Sequence, residues 1–90
     1  MIKHLNIKIA GDVQDVGFRW AAKEQAAALK INGRVQNMPD GTLYIEAEGE
    51  EYALNQFSDW CGQGPMFARV KSVEQDEGEV KGLKDFEIVV

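Results

Sequence analysis

The residues best suited to bind an anion lie in one short stretch. Residues 11–19, Gly-Asp-Val-Gln-Asp-Val-Gly-Phe-Arg, follow an alternating apolar pattern and precede a helical one, so they join a strand to the N-terminus of a helix. Unpaired backbone N–H groups and the positive end of the helix dipole favour an anion there. Arg19 adds a planar guanidinium that suits two phosphate oxygens. These residues, here called the cradle loop, indicate either a phosphate site or an ordinary connection followed by a solvated arginine.

A second polar group, Asn37, ends the next predicted strand. It continues the inward parity of Gly33 and Val35, so its amide could bind a water at the edge of the sheet. The alternative is a strand-ending asparagine in an Asx turn, because Met38-Pro39-Asp40-Gly41 is a typical hairpin turn.

The periodicity of the chain predicts the elements that position these groups. Leu5, Ile7 and Ile9 alternate as in a half-buried strand, and Phe18, Ala22, Ala26 and Leu29 have helical spacing, with an end expected near Gly33. The further predicted elements are strands at residues 33–37, 43–49, 68–75 and 86–90. A second helix is predicted from an apolar side formed by Ala53, Leu54, Phe57, Trp60 and Cys61. Val70 and Val73 are out of step by one, which indicates a bulge or a two-sided segment in the fourth strand.

This order predicts the α+β class, with an antiparallel sheet of four to five strands and both helices on one face. In such a split β-α-β arrangement the first crossover joins parallel strands, and the hairpin places the third strand between them. The cradle loop and Asn37 should then lie at the same edge of the sheet, separated by two strand spacings, roughly 10 Å.

Length, charge and cysteine content exclude several classes of protein. Ninety residues fit one domain, residues 1–90. A net charge of −5 argues against a nucleic-acid-binding face, and the alternating N-terminus argues against a signal peptide or a membrane span. One cysteine, Cys61, excludes an intrachain disulfide framework and predicts a reducing, cytoplasmic location. Without histidine neighbours, Glu46, Glu48, Glu50 and Glu51 are interpreted as a solvated edge and not as a metal site.

Several other prominent residues favour structural roles. Phe57 and Trp60 have helical core spacing and should pack, and Cys61 should be an inert buried thiol. His4 falls on the open face of the sheet. Trp20, next to Arg19, either lines the mouth of the pocket or is half-buried by packing.

Two sequence blocks resemble the acylphosphatase family. The first is Gly11-x-Val13-Gln14-x-Val16-Gly17-Phe18-Arg19; the second is Gly33-x-Val35-x-Asn37-x-x-Asp40-Gly41 followed by Ala47-Glu48-Gly49. Weaker agreement continues to the end of the chain, through Gly64-Pro65, Ala68-x-Val70 and Phe86-x-Ile88. The blocks occur in the family's order and spacing, in a chain of family-like length.

The resemblance implies a ferredoxin-like enzyme that hydrolyses acyl phosphates to a carboxylate and inorganic phosphate by in-line attack of water. It implies that Arg19 binds phosphate and that Asn37 orients the water, and it extends the phosphate-binding loop over Val13, Gln14, Asp15, Val16, Gly17 and Phe18. We expect no cofactor, no metal and no covalent intermediate, since a mixed anhydride already has a good leaving group. We also expect a monomer whose partners are the small-molecule acyl phosphate and the phosphate product, with no nucleic acid and no membrane.

The sequence departs from the family pattern at Asp15, where the family usually has glycine. A carboxylate facing the bound phosphate would weaken the site. Alternatively, Asp15 points outward and caps the following helix. Two other functions therefore remain open: a weakened or inactive binding or regulatory module with the same scaffold, and an RNA-binding sheet, which the scarcity of exposed basic and aromatic residues disfavours.

Overall fold

The computed structural model describes residues 1–90, with five strands and two helices in the predicted order. The elements are β1 (Ile2–Asp12), α1 (Phe18–Leu29), β2 (Asn32–Asn37), β3 (Leu43–Glu50), α2 (Glu51–Gln63), β4 (Arg69–Gly78) and β5 (Phe86–Val89). Neither helix is long and apolar enough to cross a membrane.

The five strands form one sheet in the order β4-β1-β3-β2-β5. β3 is antiparallel to both β1 and β2, so β1 and β2 run parallel with β3 between them, as predicted. The expected fully antiparallel sheet is wrong at one edge, because β5 pairs with β2 in parallel. The reason is a reversal of the chain: β4 runs antiparallel to β1, and residues 79–85 then turn the chain back before β5.

Both helices pack on one face of the sheet and enclose the hydrophobic core. α1 lies against β2 and β5, and α2 lies against β1, β3 and β4. Buried alanines on α1 let the helix approach the sheet closely. Trp60 contacts the edge of Phe18, with ring centroids 5.3 Å apart, which confirms its packing role. The largest buried apolar side chains are those of Ile7, Ile9, Val13, Phe18, Val35, Leu43, Ile45, Leu54 and Phe57.

α1 ends earlier than expected. Lys30 has a left-handed conformation with φ 57°, and its N–H bonds the carbonyls of Ala26 and Ala27. Gly33, the expected end of the helix, already lies inside β2. A Cβ at Gly33 would stand 1.9 Å from the carbonyl oxygen of Glu46, so glycine is needed there for close approach of β2 to β3.

A β-bulge interrupts the pairing of β1 with β4. Ala10 pairs with Ser72 but Gly11 pairs with Val70, which leaves Lys71 as the extra residue on β4. The out-of-step valines of the predicted fourth strand are thereby explained. β1 also continues through Gly11 to Asp12, further than the alternating pattern indicated.

The interpretation of Glu46 and Glu48 as solvated carboxylates is wrong. They are only 6% and 4% exposed, and His4 is 1% exposed. Residues 79–85, here called the crossing segment, cover them on the face opposite the helices. Glu48 accepts hydrogen bonds from the backbone N–H groups of Lys81 and Leu83, and its Oε2 lies 2.7 Å from Nδ1 of His4.

These contacts keep both buried carboxylates ionised. A hydrogen bond from Nζ of Lys81, at 2.6 Å, is the main cause of the lowered pKa of Glu46, and Arg34 reinforces it. For Glu48, burial is the largest single influence, and it raises the pKa of the carboxyl group. The two N–H donors of the crossing segment and His4 together outweigh it, so the pKa of Glu48 is also lowered.

Candidate active site

Two left-handed residues turn the cradle loop from β1 into α1. Asp15 has φ 60° and Gly17 has φ 78°. A Cβ at Gly17 would meet no atom within 4 Å, so the backbone conformation, and not packing, requires glycine there. Aspartate is among the few other residues that adopt this conformation, which explains how Asp15 fits a position where glycine is usual.

The N-terminus of α1 has no side-chain cap. Gly17 is the N-cap residue, no side chain bonds the first-turn N–H groups, and no acidic residue lies in that turn. The alternative that Asp15 caps α1 is therefore wrong. The first-turn N–H groups and the helix dipole remain available to an anion.

A cavity of about 160 Å³ lies at this N-terminus. This space is sufficient for a phosphate-sized group and a water. The structure thus brings Arg19 and Asn37 together across the edge of the sheet, as the topology predicted. The residues that line the cavity are Val13, Asp15, Gly17, Phe18, Arg19, Trp20 and Asn37.

The amide oxygen of Asn37 is buried and finds no hydrogen-bond donor within the protein. Such an unpaired acceptor costs about 1–3 kcal/mol unless a ligand or water satisfies it. The Asx-turn alternative is wrong for Asn37, since Asp40 fills that role: its Oδ1 accepts from the N–H of Thr42 at 3.0 Å. Asn37 therefore lines the cavity with an amide whose oxygen has no hydrogen-bond partner within the protein.

The side chain of Gln14 does not line the cavity. Its Nε2 donates to the carbonyl oxygens of Met38 at 2.8 Å and Thr42 at 3.0 Å. Val16 likewise lies outside the lining and packs against the hydrophobic core. Gln14 ties the cradle loop to the β2–β3 turn that follows Asn37. Sequence reasoning missed this role; the only signal was a long amide in a loop that faces a predicted turn.

Other reactive groups lie away from the cavity. Burial raises the pKa of Cys61 to about 12, so its thiol is not a nucleophile at neutral pH. No three side chains of histidine, cysteine, aspartate or glutamate are grouped so that they could hold a metal ion. The charge available to a ligand in the cavity is that of Arg19 and the helix N-terminus, opposed by Asp15.

The acylphosphatase family model matches residues 5–88 of this chain. The chain belongs to the acylphosphatase family. It is 42% identical over 84 residues to the acylphosphatase of Archaeoglobus fulgidus, covering 93% of this chain and 94% of that protein. It is also 42% identical over 88 residues to the acylphosphatase of Lactiplantibacillus plantarum, covering 97% and 98%.

The fold agrees with this membership. The crystal structure of the Bacillus subtilis acylphosphatase superposes with a TM-score of 0.95 at 35% identity, over the full length of both chains. The resemblance carried by the two sequence blocks is thereby confirmed, and so is the ferredoxin-like fold that it implied.

Proposed function

We propose that this acylphosphatase-family protein hydrolyses acyl phosphates to a carboxylate and inorganic phosphate. The cradle loop and Arg19 hold the phosphoryl group, and Asn37 orients the attacking water. The observation that carries these roles is the buried, unpaired Oδ1 of Asn37 in the same cavity as Arg19. It gives the cavity a cation for the phosphate and an amide group for a water.

The reaction needs positioning and charge stabilisation more than a strong base. A water donates one hydrogen bond to Oδ1 of Asn37 and attacks phosphorus in line with the acyl oxygen. A new P–O bond forms, the acyl O–P bond breaks, and the carboxylate leaves with the electron pair. The water proton passes to a phosphate oxygen or to solvent. Arg19 and the first-turn N–H groups stabilise the equatorial oxygens.

The alternative of a binding or regulatory module that has lost its cradle gains no support. Arg19 and Asn37 both line the cavity, and Asp15 is accommodated without closing it. The carboxylate of Asp15 therefore lowers the affinity of the site for phosphate without abolishing activity.

The remaining expectations belong to the same proposal. The ninety residues act as one acylphosphatase domain and a cytoplasmic monomer, with an acyl phosphate and inorganic phosphate as ligands and without metal, cofactor, nucleic acid or membrane. The net charge of −5, the single buried thiol and one continuous core support this. Activity that is lost on chelation and restored by a divalent ion would contradict the metal-free mechanism, and sedimentation of a dimer would contradict the monomer.

Variants at Arg19 and Asn37 should lose different kinetic properties. Arg19→Ala should lower kcat/KM by about 10³-fold or more and abolish inhibition by inorganic phosphate, because the main countercharge is lost. Arg19→Lys should rescue little, since a point charge cannot replace the two-pronged fork. Asn37→Ala should lower kcat by about 10²-fold and leave the phosphate inhibition constant nearly unchanged, because its partner is water.

The measurement is steady-state hydrolysis of benzoyl phosphate with phosphate as inhibitor. Asn55→Ala, at an exposed position on α2, is the matched control and should behave as the unmodified protein. Equal losses of phosphate affinity in Arg19→Ala and Asn37→Ala would show that the two roles are assigned wrongly.

A further inference from the structure

The cavity at Arg19 is large enough for the phosphoryl group and a water but not for a sizeable acyl group. The acyl part of a substrate must therefore extend out of it. Trp20, which is 66% exposed, lines this cavity and also lines a second, larger one. Trp20 is the one residue that lines both spaces, so an acyl chain that leaves the phosphate cavity along this side chain would lie beside the second space.

The second space is a groove of about 780 Å³ between α1 and β5. Trp20, Lys23 and Ala27 share one face of α1, at positions i, i+3 and i+7, and form one wall. Phe86 and Ile88 of β5 form the other wall. We call this space the α1–β5 groove. It follows α1 from Trp20 to Lys30, roughly 15 Å at 1.5 Å per residue.

Strand pairing places one end of the groove at the active site. β5 runs parallel to β2, and Val89 pairs with Gln36, the residue before Asn37. The last residues of β5 therefore lie beside the end of β2, where Asn37 faces the phosphate cavity. One wall of the groove thus begins at Trp20, which lines the phosphate cavity, and the other ends beside Gln36, one residue before Asn37.

The lining of the groove favours an uncharged, apolar occupant. Seven of its thirteen lining residues are hydrophobic. Three lysines face two carboxylates, those of Asp85 and Glu87, so the groove offers little net charge to a charged acyl group. Lysine stems also add apolar surface. Nζ of Lys23 lies 5.8 Å from the Trp20 ring centroid, within the range of a cation–π contact.

We propose that the α1–β5 groove is the acyl subsite of this enzyme, that Trp20 is its specificity-determining residue, and that the preferred substrates are acyl phosphates with an extended aliphatic chain. The proposal rests on the proposed function, in which the Arg19 cavity holds the phosphoryl group. The groove contributes to binding of the chain and not to the chemical step.

The test compares acetyl, butyryl and octanoyl phosphate in steady-state kinetics, below the concentrations at which the longest one aggregates. Burial of one face of the chain in an open groove should raise kcat/KM about twofold per added methylene, mainly through KM. Trp20→Ala should remove most of this dependence, and Trp20→Phe should retain most of it. Ala27→Glu, which places a carboxylate on the groove wall, should lower kcat/KM much more for octanoyl than for acetyl phosphate.

A matched control separates this effect from a general loss of packing. Tyr52→Ala removes an aromatic residue of similar exposure, 67%, from α2, and should keep the chain-length dependence. Octylphosphonate and methylphosphonate provide a binding measurement without turnover. The inhibition constant of methylphosphonate divided by that of octylphosphonate should fall about tenfold or more in Trp20→Ala, because octylphosphonate loses its contact with the indole.

The proposal is overturned if kcat/KM does not rise with chain length, if the rise persists in both Trp20→Ala and Ala27→Glu, or if a carboxylate-bearing acyl phosphate is preferred over octanoyl phosphate. These results are distinct from failure of the proposed function. Arg19→Ala should abolish hydrolysis at every chain length, whether or not the groove binds the acyl chain.

Discussion

At the scale of single residues, Asp15 is the position where this acylphosphatase departs from the usual sequence of its family. Its φ of 60° places it in the left-handed region, where aspartate, asparagine and glycine are the most readily accommodated residues. Its side chain is exposed, lines the cavity with Arg19 and caps no helix. A negative charge thus lies beside the site that must accept a phosphoryl group.

Removing this charge should improve the enzyme. Asp15→Asn keeps a residue that tolerates the left-handed conformation, and it should raise kcat/KM and tighten phosphate inhibition by about three- to tenfold, the effect of one carboxylate ~6 Å from a phosphate in a water-like dielectric. Asp15→Gly should give a similar gain, because charge opposes the ligand more than bulk does. The measurement is kcat/KM at low ionic strength, where screening is weakest.

The same variants can contradict this account. A fall in kcat/KM for Asp15→Asn, with an unchanged circular dichroism spectrum, would give the carboxylate a positive role in catalysis. Asp15→Ala serves as the conformational control. It removes the charge but disfavours the left-handed backbone, so it should gain less than Asp15→Asn.

At the scale of elements, the site depends on a link between the cradle loop and the β2–β3 turn. Gln14 supplies this link through its two hydrogen bonds to the carbonyl oxygens of Met38 and Thr42. Asn37 immediately precedes this turn, and Arg19 follows the cradle loop. Gln14 is therefore a positioning residue that sets the separation between the phosphate-binding side of the cavity and Asn37.

Breaking the link should lower both activity and stability. Gln14→Glu has the same size, but its carboxylate meets two carbonyl oxygens in place of an NH₂ group. We expect kcat to fall about tenfold or more, since small errors in position are costly in catalysis, and the free energy of unfolding to fall by about 1–3 kcal/mol. Urea unfolding and benzoyl phosphate kinetics measure the two effects. Gln56→Glu, exposed on α2, is the isosteric control; the role of Gln14 is refuted if both variants behave alike.

At the scale of the whole molecule, the crossing segment closes the face of the sheet opposite the helices. Its N–H groups and Lys81 bind Glu46 and Glu48, while His4 contacts Glu48 from β1. The segment also connects β4 at one edge of the sheet to β5 at the other. The buried carboxylates thus hold the connection that brings β5 beside β2.

This arrangement predicts a loss of stability in acid. Glu46 and Glu48 have lower pKa values in the folded protein than in the unfolded chain, so the folded protein binds fewer protons. The contribution of the two carboxylates to the free energy of unfolding is therefore present above the ordinary glutamate pKa of 4.5 and is lost as the pH falls below it. Glu48→Gln should lower the free energy of unfolding by about 1–3 kcal/mol at neutral pH. The difference from the unmodified protein should shrink as the pH falls below the ordinary glutamate pKa, because Glu48 then becomes protonated.

Urea unfolding across this pH range measures the effect. Glu74→Gln, on the exposed surface of β4, is the matched control and should change stability by less than about 0.5 kcal/mol. A constant difference between Glu48→Gln and the unmodified protein from neutral pH to acid would show that the buried charge does not stabilise the fold.

Local patterns in the sequence determined the order of strands and helices, the place of the cradle loop at the start of α1, and the position of Asn37 at the end of β2. Alternation and helical spacing depend on neighbours within a few residues, and the two sequence blocks carry the family resemblance. The turn at Met38–Gly41 was also predicted, because proline and the Asp-Gly pair favour the backbone conformations of a hairpin turn.

Only the tertiary structure decided what these patterns left open. Alternation placed Glu46, Glu48 and His4 on the face away from the core, and that face became buried because a segment more than thirty residues later crosses it. The parallel pairing of β5, the contacts of Gln14 with the β2–β3 turn and the common wall at Trp20 likewise join residues far apart in sequence. Periodicity indicates which face of a strand or helix is apolar. It contains no information about which distant segment covers the opposite face, because that contact depends on the tertiary structure.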